Sequence, residues 1–300
     1  MTSYIGRFAP SPTGELHQGS LLTAVASYLD ARSQDGTWLV RMEDLDPPRE
    51  QPGAADAILL SLDRHGLHWD GEVMYQSKRS PAYDEALELL RARNLTYCCD
   101  CTRQRLRGLR AYDGHCRRHP PSQDRPCAIR LQIPDKNSAT ITYNDLFQGP
   151  QEQDLTEEPG DFVIHRKDGL YAYQLAVVVD DIDQGITHVI RGLDLLDSSP
   201  RQRYLFEVLN RKPSCTPEMG HLPIIVNPQG QKLSKQTYAP VLDATRANEN
   251  LWQALCDLNH QPPAALRGAT CSELLSWGRE HWSRQRVPRC ASLPAVTTTT

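Results

Sequence analysis

Two short segments have the residue types needed to handle phosphate. His17-Gln18-Gly19-Ser20 follows a turn-rich run, Ala9-Pro10-Ser11-Pro12-Thr13-Gly14, and leads into a stretch with helical spacing. Gly14 and Gly19 let a ligand approach the backbone, and a helix start presents unpaired N–H groups suited to a phosphate. A histidine at that start is placed to donate to a phosphate oxygen. Far along the chain, Lys232-Leu233-Ser234-Lys235-Gln236 follows the turn Asn227-Pro228-Gln229-Gly230. Lysines three apart on a loop can meet a triphosphate as point charges. Either segment alone would pass for an ordinary turn; together in one chain they point to a nucleotide.

The cysteines form the third group. The chain has nine, and Cys98, Cys99, Cys101 and Cys116 crowd into nineteen residues. Cys99, Cys101 and Cys116 supply three soft sulfur ligands, which in a closed tetrahedral site favour zinc. Spacing alone offers His119 or His115 as the fourth ligand. An odd count argues against a disulfide framework. Cys127, Cys215, Cys256, Cys271 and Cys290 are scattered and expected to be plain apolar or surface residues.

In combination these segments resemble a known family. Arg7-Phe8-Ala9-Pro10-Ser11-Pro12-Thr13-Gly14 with His17-Gln18-Gly19-Ser20 is similar to the HIGH signature of class I glutamyl- and glutaminyl-tRNA synthetases, and Lys232 to Gln236 is similar to their KMSKS loop. Arg41-Met42-Glu43-Asp44-Leu45-Asp46, Val189-Ile190-Arg191-Gly192 and Ser198-Ser199-Pro200-Arg201-Gln202 fit the same family in order, so the resemblance covers roughly residues 4–240. Gln18 departs from the usual Ile or Leu but leaves the histidine and glycine in place.

The resemblance implies ATP, with Mg2+, held by His17, Gly19, Lys232 and Lys235, of which His17 and Lys235 stabilise the transition state. It implies L-glutamate held by Arg7, Phe8, Ala9, Pro10, Ser11, Glu43, Tyr173 and Arg191, the arginines pairing carboxylates and Glu43 the ammonium. It implies one structural zinc per chain on Cys99, Cys101, Tyr112 and Cys116, with Tyr112 in place of a histidine. Asp44, Asp46, Asp180 and Asp181 are expected to be helix caps and scaffold. Full-length members continue for well over a hundred residues into an anticodon-binding domain, whereas barely sixty follow Lys235 here. The expectation is therefore the short form of the family, which passes glutamate to the queuosine base in the anticodon of tRNA(Asp). The competing expectations are a shortened synthetase that charges a tRNA 3′ end and a non-catalytic tRNA-binding regulator.

These residues need elements to hold them. Residues 4–8 and 38–42 read as strands, and 20–32, 54–62 and 83–93 have helical spacing. That alternation predicts an α/β fold with a doubly wound parallel sheet and ligands at the carboxyl ends of its strands. Residues 96–160 break the rhythm and read as an insertion. Strand signals resume at 161–165, 175–179 and 187–190, residues 198–209 look helical, residues 221–226 lead into the turn before Lys232, and helical patterns return at 249–258 and 272–282. The division is a Rossmann-like core at 1–95 and 161–197, a zinc-bearing insertion at 96–160, and a KMSKS-like loop with a helical segment at 198–300, without an anticodon-binding domain.

A net charge of −4 excludes binding to nucleic acid by composition alone. Residues 103–130 nevertheless hold eight arginines against Asp113 and Asp124, a patch able to neutralise phosphates. No run approaches the ~18 apolar residues of a membrane span, and the N-terminus lacks a signal-peptide pattern. A cytoplasmic monomer is expected.

Overall fold

In a computed structural model, which describes residues 3–122, 124–209, 216–233 and 241–295, the chain opens with β1 (Ile5–Phe8), α1 (Gln18–Arg32), β2 (Thr37–Met42), α2 (Ala54–Arg64), β3 (Met74–Tyr75) and α3 (Ser80–Ala92). The expected alternation is present. β1 and β2 are buried for most of their length, as strands covered on both faces must be.

The inserted stretch contains β4 (Thr96–Cys99), the short helices α4 (Arg103–Leu106) and α5 (His115–Arg118), β5 (Ala128–Leu131), β6 (Thr140–Asp145) and β7 (Gly149–Asp154), followed by β8 (Phe162–His165). β6 and β7 form a hairpin, and β4, β5 and β8 form a separate antiparallel sheet. The strand expected at 161–165 thus exists, but it pairs with the insertion and not with the parallel sheet.

The chain continues with α6 (Tyr173–Asp183), β9 (His188–Gly192), α7 (Ser199–Leu209), β10 (Glu218–Leu222), β11 (Ile224–Val226), α8 (Ala247–Asp257), α9 (Cys271–His281) and β12 (Ser292–Pro294). Residues 175–179, expected as a strand, are helical. Every residue from Gln174 to Asp181 is buried, so no polar face marks the helical period, and the β-branched run Val177-Val178-Val179 imitates an interior strand.

The parallel sheet has the order β10-β9-β1-β2-β3. Its edge strand β10 comes from residues expected to lie beyond the core. One hydrophobic cluster joins α1, α8 and α9 to one face through Leu22, Val25, Leu29, Leu251, Leu255 and Leu274. The other joins α3, α6 and α7 to the opposite face through Leu87, Leu90, Leu175, Val178, Leu205 and Phe206.

Two polar pins fix the late helices. Asp30, fully buried on α1, accepts from Tyr4 Oη (2.6 Å), Trp282 Nε1 (2.8 Å) and both Nε and Nη2 of Arg284 (2.7 and 2.8 Å). Gln18 Nε2 donates to Asp257 Oδ2 at 2.8 Å, so the residue that departs from the signature ties the start of α1 to the end of α8. No helix among the described residues is long and apolar enough to cross a membrane.

Candidate active site

The strand order reverses at β1, with β2 and β3 on one side and β9 and β10 on the other. The crevice beyond the carboxyl ends of the strands at such a point is where open parallel sheets receive ligands. Arg7 and Phe8 end β1, Arg191 and Gly192 end β9, and Glu43 follows β2 directly, its N–H donating to Pro10 O at 3.0 Å. Tyr173 opens α6. The sheet therefore gathers the side chains expected for glutamate.

Arg7 is buried, and its Nε donates to Asp181 Oδ1 at 3.1 Å. No other hydrogen bond of this guanidinium occurs among the described residues. Arg41, also buried, donates Nη2 to the same Asp181 oxygen at 2.7 Å and Nη1 to Gln184 Oε1 at 2.7 Å, and lies 3.8 Å from Glu43 Oε1. Burial works against the charge on Arg41, but Asp181, Glu43 and Asp180 outweigh it and hold its pKa above the ordinary value. Burial also pushes the Glu43 carboxyl up to about 7; Asp181 and Asp180 add to the rise, while Arg41 and Arg7 oppose it. For Asp181, burial raises the pKa, and Arg41 and Arg7 more than reverse this.

Asp180 accepts from Gln76 Nε2 and Tyr83 Oη, both at 2.8 Å. Asp180 and Asp181 are scaffold, as expected, but they act from the interior of α6 and do not cap it. Arg41 is a member of the site that sequence reasoning did not assign to it. The signal was the pair of adjacent acids in an apolar run, which in a buried helix calls for a buried cation. Phe8 packs in the core against Trp38, so what it offers a ligand is its backbone. Ala9 and Pro10 are half-buried beside it and Ser11 is exposed.

Arg191 is held far more tightly than Arg7. Its Nε donates to His221 Nε2 (3.0 Å), Nη1 to Gln202 Oε1 (2.7 Å) and Tyr173 Oη (3.3 Å), and Nη2 to Ser199 Oγ (2.8 Å) and Leu195 O (3.4 Å). All five donors are engaged. The two long contacts, to Tyr173 and Leu195, are the ones a substrate carboxylate displaces at least cost. His221 donates in turn to Asp145 Oδ2 at 2.5 Å. Burial pushes the His221 pKa down, against the pull of Asp145. Neither Asp145 nor His221 stood out in the sequence.

The segment expected to meet phosphate lies at the start of α1. His17 is its N-cap, and the ring Nδ1 accepts from Ser20 N at 3.2 Å. One of the helix-start N–H groups is thus taken by the histidine itself, leaving those of Gln18 and Gly19 without an intrahelical acceptor. A Cβ on Gly19 would sit 3.2 Å from His17 Cε1 and 3.8 Å from Ile225 Cγ1, so glycine lets the ring lie over the helix start. The same contact brings β11 beside the signature. Leu233 N donates to Ile225 O at 2.7 Å, and Lys232 Nζ reaches Asp194 Oδ2 at 2.5 Å. The base of the lysine loop is therefore next to Gly19. Lys235 lies outside the described residues.

In the insertion, the sulfurs of Cys99, Cys101 and Cys116 lie within 4.8 Å of one another. Tyr112 Oη is 3.5 Å from Cys99 Sγ and 3.7 Å from Cys101 Sγ, and accepts from Cys116 N at 2.8 Å. Neither His115 nor His119 joins the group among the described residues. Three sulfurs and a phenol oxygen form a donor set that fits one four-coordinate metal. Cys127 corrects an expectation: it is not isolated but, just before β5, pairs with Cys98 of β4, their Cα atoms 5.5 Å apart, a spacing a disulfide spans. Antiparallel pairing of β4 with β5 brings together positions that look unrelated in sequence.

The arginine patch is less basic than its sequence suggests. Arg130 is buried, stacks 3.8 Å over the Tyr112 ring and donates to Asp161 O. Arg105, Arg110, Arg117 and Arg125 face Asp113, Glu158, Asp161 and Asp100. Arg103, Arg107 and Arg118 have no carboxylate partner among the described residues.

Comparison with known proteins agrees with this geometry. Residues 5–258 match the family described as tRNA synthetases class I (E and Q), catalytic domain. A protein of Pseudomonas aeruginosa named glutamyl-Q tRNA(Asp) synthetase is 52% identical over 98% of both chains. One of the same name from Thiobacillus denitrificans is 51% identical over 95% of both. Among solved structures, a glutamate tRNA ligase from Elizabethkingia meningosepticum, in complex with its amino acid, superposes with a TM-score of 0.77 at 25% identity, covering 97% of this chain and 67% of that one. With its arginines and carboxylates at the switch point of the sheet, and with relatives matched along nearly its whole length, the chain belongs to the class I tRNA synthetases of the E and Q group.

Proposed function

We propose that the chain activates L-glutamate with ATP and passes it to the queuosine base in the anticodon of tRNA(Asp). The observation that carries the amino-acid half is the convergence of Arg7, Glu43, Tyr173 and Arg191 at the carboxyl ends of β1, β2 and β9 and the start of α6. Two cations and one anion complement a substrate with two carboxylates and one ammonium. The acceptor half is supported by the names of relatives matched over 98% of both chains.

Chemistry proceeds in two displacements. The α-carboxylate of glutamate attacks the α-phosphate of ATP, forming glutamyl-adenylate and releasing pyrophosphate. A hydroxyl of the queuosine cyclopentene ring then attacks the acyl carbon, AMP leaves, and the hydroxyl proton is lost to solvent. The protein supplies position and charge. Arg7 and Arg191 orient the carboxylates and Glu43 the ammonium. His17, Gly19, Lys232 and Lys235 meet the Mg2+-bound phosphates, Lys232 exchanging Asp194 for them. Cys99, Cys101, Tyr112 and Cys116 would hold a zinc ion, which with four protein ligands would serve to staple the insertion and not to catalyse. The chain acts as a cytoplasmic monomer.

Likeness to glutamate tRNA ligases favours a second reading, in which the acceptor is a tRNA 3′ end. Labelled glutamate and ATP incubated with purified tRNAs separate the two on an acid gel. The first reading expects label on tRNA(Asp) only when queuosine is present. Label on tRNA(Glu), or on tRNA(Asp) lacking queuosine, overturns it.

A further inference from the structure

The buried contacts of Arg191 lead out of the amino-acid pocket and into the insertion. A guanidinium Nε–H can only donate, so the 3.0 Å contact makes His221 Nε2 the acceptor. The ring proton then sits on Nδ1 and is donated to Asp145 Oδ2. Asp145 ends β6, and both it and His221 are fully or almost fully buried.

Asp145 is itself over-determined. Its Oδ1 accepts from the N–H groups of Phe147 (3.0 Å), Gln148 (2.9 Å) and His221 (3.1 Å). Gln148 Nε2 donates to His221 O at 2.7 Å, and Leu146 N to Met219 O at 2.8 Å. The turn between β6 and β7 is thereby clasped onto β10. Gly220 makes the clasp possible, because a Cβ there would meet Phe147 Cε2 at 2.7 Å.

We propose that Asp145 and His221 are positioning residues for glutamate: through one imidazole of fixed tautomer, the hairpin turn of the insertion holds the Arg191 guanidinium in the orientation that receives a carboxylate. Among the described residues only His221 bonds both Arg191 and Asp145, and its Nε2 also lies 3.1 Å from Ser199 Oγ. Without its acceptor, Nε of Arg191 turns toward another partner and the terminal nitrogens leave the plane set by Ser199 and Gln202. The insertion that carries the metal ligands thus also completes the amino-acid pocket.

The inference rests on the glutamate-activating reading, and pyrophosphate exchange tests them separately. Asparagine at 221 can still donate to Asp145 but is too short to accept from Arg191. Glutamine places an amide oxygen near the lost Nε2. His221→Asn is expected to raise the glutamate KM about tenfold, the effect of losing one buried bond to a charged group, with the ATP KM unchanged. His221→Gln is expected to recover most of it. Asp145→Asn keeps the shape and the Oδ1 acceptor but sets an amide donor against Nδ1, which turns the Nε2 proton toward Arg191, so a comparable rise in glutamate KM alone is expected. Unchanged glutamate KM in His221→Asn, a parallel rise in both KM values, or a glutamine variant no better than asparagine overturns the proposal. Absence of glutamate-dependent exchange in the unaltered protein would instead defeat the reading on which it rests.

Discussion

Glu43 bears opposing demands. To hold an ammonium it must be ionised, yet burial pushes its carboxyl from the ordinary 4.5 up to about 7. For folding the sign is plain: a raised native pKa means that the protonated form is favoured, so the stability it contributes is full below 4.5 and lost as pH climbs through about 7. For binding the dependence is opposite. kcat/KM for glutamate in pyrophosphate exchange is expected to rise with pH and level off above about 7, and Glu43→Gln should abolish both the rise and most of the activity. A profile flat from pH 6 to 8 in the unaltered protein would remove Glu43 from this role. Arg191 makes a second residue-level case. Its alanine variant leaves His221, Ser199 and Gln202 without their shared donor and should lose glutamate use by about a hundredfold or more, while ATP affinity persists; titration of each substrate in the same assay checks the split. Residues assigned to the site from linear motifs, such as Arg7, Glu43 and Arg191, do come together at the carboxyl ends of the strands, while Arg41 was quoted in such a motif without being assigned to the site. Those not assigned, Arg41, Asp145 and His221, work through partners 30 to 140 positions away, and no local pattern announces such a partnership.

At the scale of elements, the parts read correctly were those whose environment is uneven: α3 and α9 each bury one side, and their apolar period shows. α6 is covered all round and its period vanishes, while β10 pairs into the core sheet from beyond a long excursion, which no period reports. The insertion poses a different problem, since its own sheets are small and its helices are four residues long. Such a unit needs a staple. The Cys99, Cys101, Tyr112 and Cys116 set is placed to be one, and structural zinc supplies folding energy directly. The protein is expected to contain about one zinc per chain. Cys116→Ser should lose it and expose the insertion to limited proteolysis, with the parallel-sheet core surviving. Metal analysis that finds no zinc in protein prepared without chelators would remove the claim. Near the other end of the chain, Arg284→Met should lower stability by roughly 1–3 kcal/mol in urea unfolding, because Asp30 keeps Tyr4 and Trp282 as donors but loses its counter-charge.

At the scale of the whole molecule, an acidic chain must hold a polyanion. The net charge of −4 repels RNA at long range, so attraction has to come from a local surface whose cations are not already spent on carboxylates. Sequence counts eight arginines between 103 and 130; pairing and burial remove five of them, leaving Arg103, Arg107 and Arg118. These three lie on or beside α4 and α5, in the insertion. Replacing all three by glutamine is expected to weaken tRNA binding and to lower the slope of log affinity against log salt by about one for each phosphate no longer neutralised. Pyrophosphate exchange should be unchanged, since none of the three is among the residues assigned to glutamate or phosphate. Replacing Arg105 and Arg110 instead should do much less, because their charge is already matched by Asp113 and Glu158. Filter binding of tRNA(Asp) across a salt series compares the two variants directly, and equal weakening in both would mean that the RNA reads total charge and not the unpaired arginines.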